Sequence, residues 1–129
     1  MNSSDPTAQV LIVDPSEDTR DVLQTILEAK GIPTIGAGLP ETGLDLMRKL
    51  RPAVTVLDGE IEVTPPHDDE DSPTKAFLKA STGPGSSLII LGSADAMDAT
   101  GDKHLVRKPY HYGPLVRKIE ELVEQVQAD

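Results

Sequence analysis

Ala53-Val54-Thr55-Val56-Leu57-Asp58-Gly59 is the stretch on which the fold turns. Three consecutive β-branched residues, stiff at χ1, favour a pleated backbone. The run is apolar on nearly every residue rather than on alternate ones, the mark of a strand covered on both faces, as in a parallel sheet. It ends at an acid followed by glycine, a turn signal.

Similar runs lie on either side. Val10-Leu11-Ile12-Val13 stops abruptly at Asp14-Pro15, and Leu88-Ile89-Ile90-Leu91 is broken by Gly92. Ile32 to Ala37 and His104-Leu105-Val106-Arg107 are weaker strand candidates. Helical patterns alternate with them. Ser16 supplies a capping hydroxyl, Glu17 and Asp18 suit the positive end of a helix dipole, and Val22, Leu23, Ile26 and Leu27 recur at helical spacing before the stop at Gly31. Pro40 to Leu50 carries Leu44, Met47 and Leu50 on one face, with Gly43 weakening the pattern. A last helix from about Tyr112 has the most regular stripe: Leu115, Val116, Ile119, Leu122, Val123 and Val126. The acidic, proline-containing stretch from Glu60 to Pro73 reads as an extended loop, and Thr74 to Ser81 as a short helix. Residues 1–8 read as a flexible tail and 9–129 as one domain.

Alternating strands and helices imply a parallel sheet with helices on both faces. In such sheets the working site lies beyond the carboxyl ends of the strands, where the strand order reverses. That rule places Asp14, Asp58, Gly92–Ser93 and Lys108 along one rim.

Composition removes several function classes. The chain has 129 residues, room for one domain. Its formal charge of −10 disfavours nucleic-acid backbones and anionic membrane surfaces, both of which attract clustered Lys and Arg. Phe77, Tyr110 and Tyr112 are its only aromatics, too few for a base-stacking platform. The absence of cysteine excludes disulfides, thiolate metal sites and cysteine nucleophiles. No apolar segment is long enough to span a membrane, and the opening residues lack the pattern of a signal peptide, so a cytoplasmic protein is expected. His67, His104 and His111 show no ligand spacing. The run Asp68-Asp69-Glu70-Asp71 lacks a calcium-loop pattern and reads as a solvated loop.

Leu11-Ile12-Val13-Asp14 with Arg20 downstream, Pro52 to Asp58, and Val106-Arg107-Lys108-Pro109-Tyr110 together resemble the receiver domain of two-component response regulators, from about Gln9 to Val126. The resemblance implies a flavodoxin-like, doubly wound α/β fold with a five-stranded parallel sheet in the order 2-1-3-4-5. The few residues between Ser93 and His104 leave the fourth helix short or missing. It further implies a stand-alone signalling module, monomer or weak dimer and not an enzyme. Such a module is phosphorylated on Asp58 by a histidine kinase or phosphotransfer protein and acts on a downstream protein by contact. Lys108 matches the family lysine, and Ser93 is the candidate switch hydroxyl. Mg²⁺ would be held by Asp14, Asp58 and the backbone carbonyl of Glu60.

The sequence also departs from the family. Pro15 stands where a second acid is usual, with Glu17 or Glu60 as conceivable compensation. In strict register Gly92 takes the switch hydroxyl position, Leu105 takes the aromatic one, and Ile61-Glu62 replaces the usual Met-Pro. These departures point to an alternative, a phosphorylation-independent pseudo-receiver serving as a protein-interaction module. Each residue also has a plainer reading. Asp58 could cap a turn with Gly59, Asp14 could belong to a helix cap, Lys108 could be a surface lysine and Ser93 a turn residue. A phosphatase of the haloacid-dehalogenase type needs a second aspartate two places after the first, which Asp58-Gly59-Glu60 and Asp14-Pro15-Ser16 both lack.

Overall fold

The computed structural model describes residues 9–58, 87–92, 104–107 and 110–128. Five strands, β1 (Val10–Val13), β2 (Thr34–Ala37), β3 (Val54–Asp58), β4 (Ser87–Gly92) and β5 (His104–Arg107), form one sheet in the order β2-β1-β3-β4-β5. Each neighbouring pair is parallel. The order reverses at β1, between β2 and β3, as the sequence led us to expect. Three helices are described: α1 (Glu17–Ala29), α2 (Pro40–Leu50) and α3 (Tyr112–Ala128).

The unbroken apolar strands are explained by what covers them. On one face Val10, Ile12, Val54, Val56, Ile89 and Leu91 pack with Leu23 and Leu27 of α1 and Leu115 and Ile119 of α3. On the other, Leu11, Val13, Leu57, Leu88 and Ile90 pack with Met47 of α2. Side chains of a strand point alternately to opposite faces, so a strand between two helical layers needs apolar residues at both parities. Burying each of the large side chains contributes about 1.5–3 kcal/mol, which makes this two-sided core the main stabilising term.

Sequence signals fix the ends of α1. The Ser16 hydroxyl accepts the Thr19 N–H at 3.3 Å, and Glu17 and Asp18 occupy the first turn. Gly31 adopts φ +83°, and the Gly31 and Ile32 amides donate to the carbonyls of Glu28 and Leu27, closing the last turn. Lys30 pairs with Glu120 at 3.5 Å, joining α1 to α3.

Two expectations need correction. Val22 is 38% exposed, so it lies outside the buried stripe, which consists of Leu23 and Leu27 with Ile26 half-buried. The second strand begins at Thr34, not Ile32. Pro33 lacks an N–H to give a ladder, and its carbonyl instead accepts the amides of Gln9 and Val10. The expected tail at 1–8, the acidic loop, the helix at 74–81 and the fourth-helix region lie outside the described residues. So does the side chain of Val126.

Candidate functional site

Val13 of β1 pairs with Leu57 of β3. The residues that follow them on the two strands are Asp14 and Asp58. They share the side-chain parity of Val10 and Ile12 on one strand and of Val54 and Val56 on the other, so both carboxylates leave the sheet on the same side. Adjacent strands lie about 4.8 Å apart, which brings the two acids side by side at the carboxyl rim. Both are buried, Asp14 at 5% and Asp58 at 7% exposure. Asp58 also pairs with Leu91 of β4, so it occupies the middle of the rim.

Asp14 is tied at three points. Its amide donates to the Ala37 carbonyl at 3.0 Å, continuing the β1–β2 ladder beyond the strands. Its Oδ1 accepts the Ser16 amide at 2.8 Å, and its carbonyl accepts the Arg20 Nε–H at 2.9 Å. The first of these belongs to the sheet and the other two to the start of α1. The carboxylate is thus held by the junction between the two elements.

Two carboxylates side by side in a poorly hydrated position repel each other, and a divalent cation offsets that repulsion. The donor set suits a hard cation such as Mg²⁺, which takes one or two carboxylates and completes its octahedron with water and phosphate oxygens. Pro15 is exposed and brings no side-chain oxygen. Glu17 is exposed on the first turn of α1. Among the described residues, no group of three or more His, Cys, Asp or Glu gathers as a metal cluster.

Of the residues singled out from the sequence, the structure brings together Asp14 and Asp58. Glu60, Ser93 and Lys108 lie outside the described residues, as does the side chain of Leu105. The ladders bearing on them are regular. β4 pairs with β5 without a bulge from Ile89–His104 through Gly92–Arg107, so Gly92 is a strand residue and Ser93 follows the end of the strand. Tyr110, two residues after Lys108, is half-buried against the α1–α3 core and meets Tyr112 edge-on, with ring centroids 5.8 Å apart. Sequence reasoning missed the role of Arg20 beside Asp14. Arg20 entered the resemblance only as a residue downstream of Asp14; the structure shows it crossing the bare backbone of Gly36 and Gly38.

No family model and no curated protein matches the chain. Solved structures do. The receiver domain of a Francisella response regulator superposes with a TM-score of 0.71 at 23% identity, covering 90% of this chain and 96% of that one. A response regulator receiver domain from Clostridium thermocellum gives 0.73 at 18% identity, covering 94% and 98%. Another from Methanospirillum hungatei gives 0.72 at 23% identity, covering 92% and 95%. The strand order and the two helical layers are accounted for together: the chain has the fold of response regulator receiver domains.

Proposed function

We propose that residues 9–129 act as a receiver module in two-component signalling, accepting a phosphoryl group on Asp58 and passing the signal on by protein contact. The supporting observation is that Asp14 and Asp58, both buried, directly follow the paired residues Val13 and Leu57 at the carboxyl ends of adjacent strands. In this reading a carboxylate oxygen of Asp58 attacks phosphorus in line as the bond from phosphorus to the donor's histidine nitrogen breaks. The strand holds Asp58 in place at the carboxyl end of the sheet. Asp14, Asp58 and the Glu60 carbonyl are the proposed ligands of Mg²⁺. When bound, the ion supplies positive charge to the phosphoryl oxygens. Lys108 is assigned the remaining charge on the transferred group and Ser93 the switch hydroxyl. A histidine kinase or phosphotransfer protein is the assigned donor.

The test is incubation with acetyl phosphate and Mg²⁺ followed by mass spectrometry, alongside ¹⁹F NMR of bound beryllofluoride. The expected result is an acid-stable, base-labile adduct on the wild type and none on Asp58→Ala. An unmodified wild type, or equal modification of the variant, removes the phosphorylation claim. A second reading, a constitutive interaction module, draws on Pro15 and on the regular ladder that keeps Gly92, which has no hydroxyl, in the strand. It gains if the wild type takes neither Mg²⁺ nor the phosphoryl mimic.

A further inference from the structure

Arg20 leaves α1 and runs back across the end of β2. A Cβ added to Gly36 would lie 3.2 Å from the Arg20 Cδ, and one added to Gly38 would lie 3.2 Å from its Nη2. Those distances are tighter than ordinary van der Waals contact. The two glycines therefore leave a channel that the arginine fills. At its inner side the Nε–H donates to the Asp14 carbonyl at 2.9 Å. The amide of the same residue is held by Ala37, which lies between the two glycines. Arg20 lies on α1 and Asp14 directly follows β1, so this bond ties the helix to the end of the strand.

We propose that Arg20 is a positioning residue for the acidic site: seated in the Gly36–Gly38 channel, it fixes the backbone of Asp14 and, through it, the direction of the carboxylate. The proposal deepens the reading of the rim as a Mg²⁺ and phosphoryl site and rests on it. With Pro15 following Asp14, this rim has one acid at the end of β1, and its aim carries more weight. A planar guanidinium suits the task, since its Nε–H points in a fixed direction while its outer nitrogens lie along the channel. Lysine has no donor at the Nε position, so charge alone does not replace it.

The test uses the full chain, ¹³C-labelled at the aspartate carboxyls and ¹⁵N-labelled, with Arg20→Lys and Gly38→Ala as variants. The first keeps the charge and removes the Nε donor. The second leaves the arginine intact and displaces its Nη2 end by a few tenths of an ångström. In both, the Asp14 carboxyl resonance is expected to move and the Ser16 amide, which donates to Asp14 Oδ1, to exchange faster. Mg²⁺ affinity is expected to fall about tenfold in Arg20→Lys, the size of effect seen when a group orienting a metal ligand is lost, and by less in Gly38→Ala. Exchange in the centre of the sheet stays as in the wild type. An unmoved Asp14 resonance with unchanged Ser16 exchange in both variants overturns the proposal, as does unchanged Mg²⁺ affinity when the wild type binds the ion. Should Arg20→Lys lower protection throughout the sheet, Gly38→Ala decides. A wild type that binds no Mg²⁺ defeats the functional reading of the rim, while the Asp14 and Ser16 signals still judge the arginine.

Discussion

Thr55 is fully buried in β3, and its Oγ1 has no hydrogen-bond partner among the described residues. It lies in register with Leu11 on β1 and Leu88 on β4, two residues of the α2-side core. A buried hydroxyl without a partner costs roughly 1–3 kcal/mol of desolvation, and valine has the same shape and β-branching. Thr55→Val is therefore expected to raise the stability by about 1 kcal/mol, read as a higher urea midpoint at unchanged slope. A lower midpoint would mean that the hydroxyl is satisfied, and the account of this face would have to change. The hydroxyl is also one polar atom in a run that otherwise reads as apolar. The sequence shows its presence but not its burial without a partner, which depends on two other strands.

At the scale of the element, α2 is less well terminated than α1. Its first flanking residue, Leu39, has the extended backbone of an N-cap but makes no side-chain cap hydrogen bond and is 61% exposed. At the other end Arg51 adopts φ +47°, a left-handed conformation that suits glycine. Leu39→Asp gives the first turn an acceptor and a charge that complements the dipole, and Arg51→Gly removes the Cβ penalty. Each is expected to add about 0.5–1 kcal/mol. The ends of an 11-residue helix lie about 16 Å apart, so the double variant should show the sum in chemical denaturation. A double variant no better than either single one would refute the independence of the two ends. The same helix shows what the sequence could and could not convey. Its span was legible from the spacing of Leu44 and Met47, and Gly43, which weakened the pattern, is a buried residue of the helix. β1, β3 and β4 were legible because two-sided burial leaves unbroken apolar runs. β2 was legible only in part, since Pro33 and Gly36 blur its start and interior. Val22 was misplaced because spacing defines a wide stripe, and only packing decides which edge of it faces water.

For the whole molecule, the order of the sheet brings the carboxyl ends of β1 and β3, distant in the chain, side by side, and the consequence is electrostatic. Asp14 and Asp58 were legible as candidates because each ends an apolar run. Their approach follows from β1 and β3 being neighbours, a property of topology. Arg20 was not legible as part of the site, since its role depends on side chains missing from Gly36 and Gly38 on another strand. Asp14 and Asp58 are both buried at the ends of adjacent strands, and a change of charge at either is felt by the whole cooperative unit. Asp58→Asn removes one of two neighbouring like charges and is expected to be more stable than the wild type without Mg²⁺ by on the order of 1 kcal/mol. With Mg²⁺ at ten times its Kd, the wild type gains about 1.4 kcal/mol by mass action, because only the folded state holds both ligands together. The variant should gain far less. A chain of charge −10 is stabilised to some degree by any cation, so each Mg²⁺ series needs NaCl of equal ionic strength beside it. The expected signature is a reversal of order, with the variant melting higher in EDTA and the wild type gaining on it or passing it in Mg²⁺. Parallel rises in the two proteins would show that Mg²⁺ acts on the general charge of the molecule and not between these two aspartates.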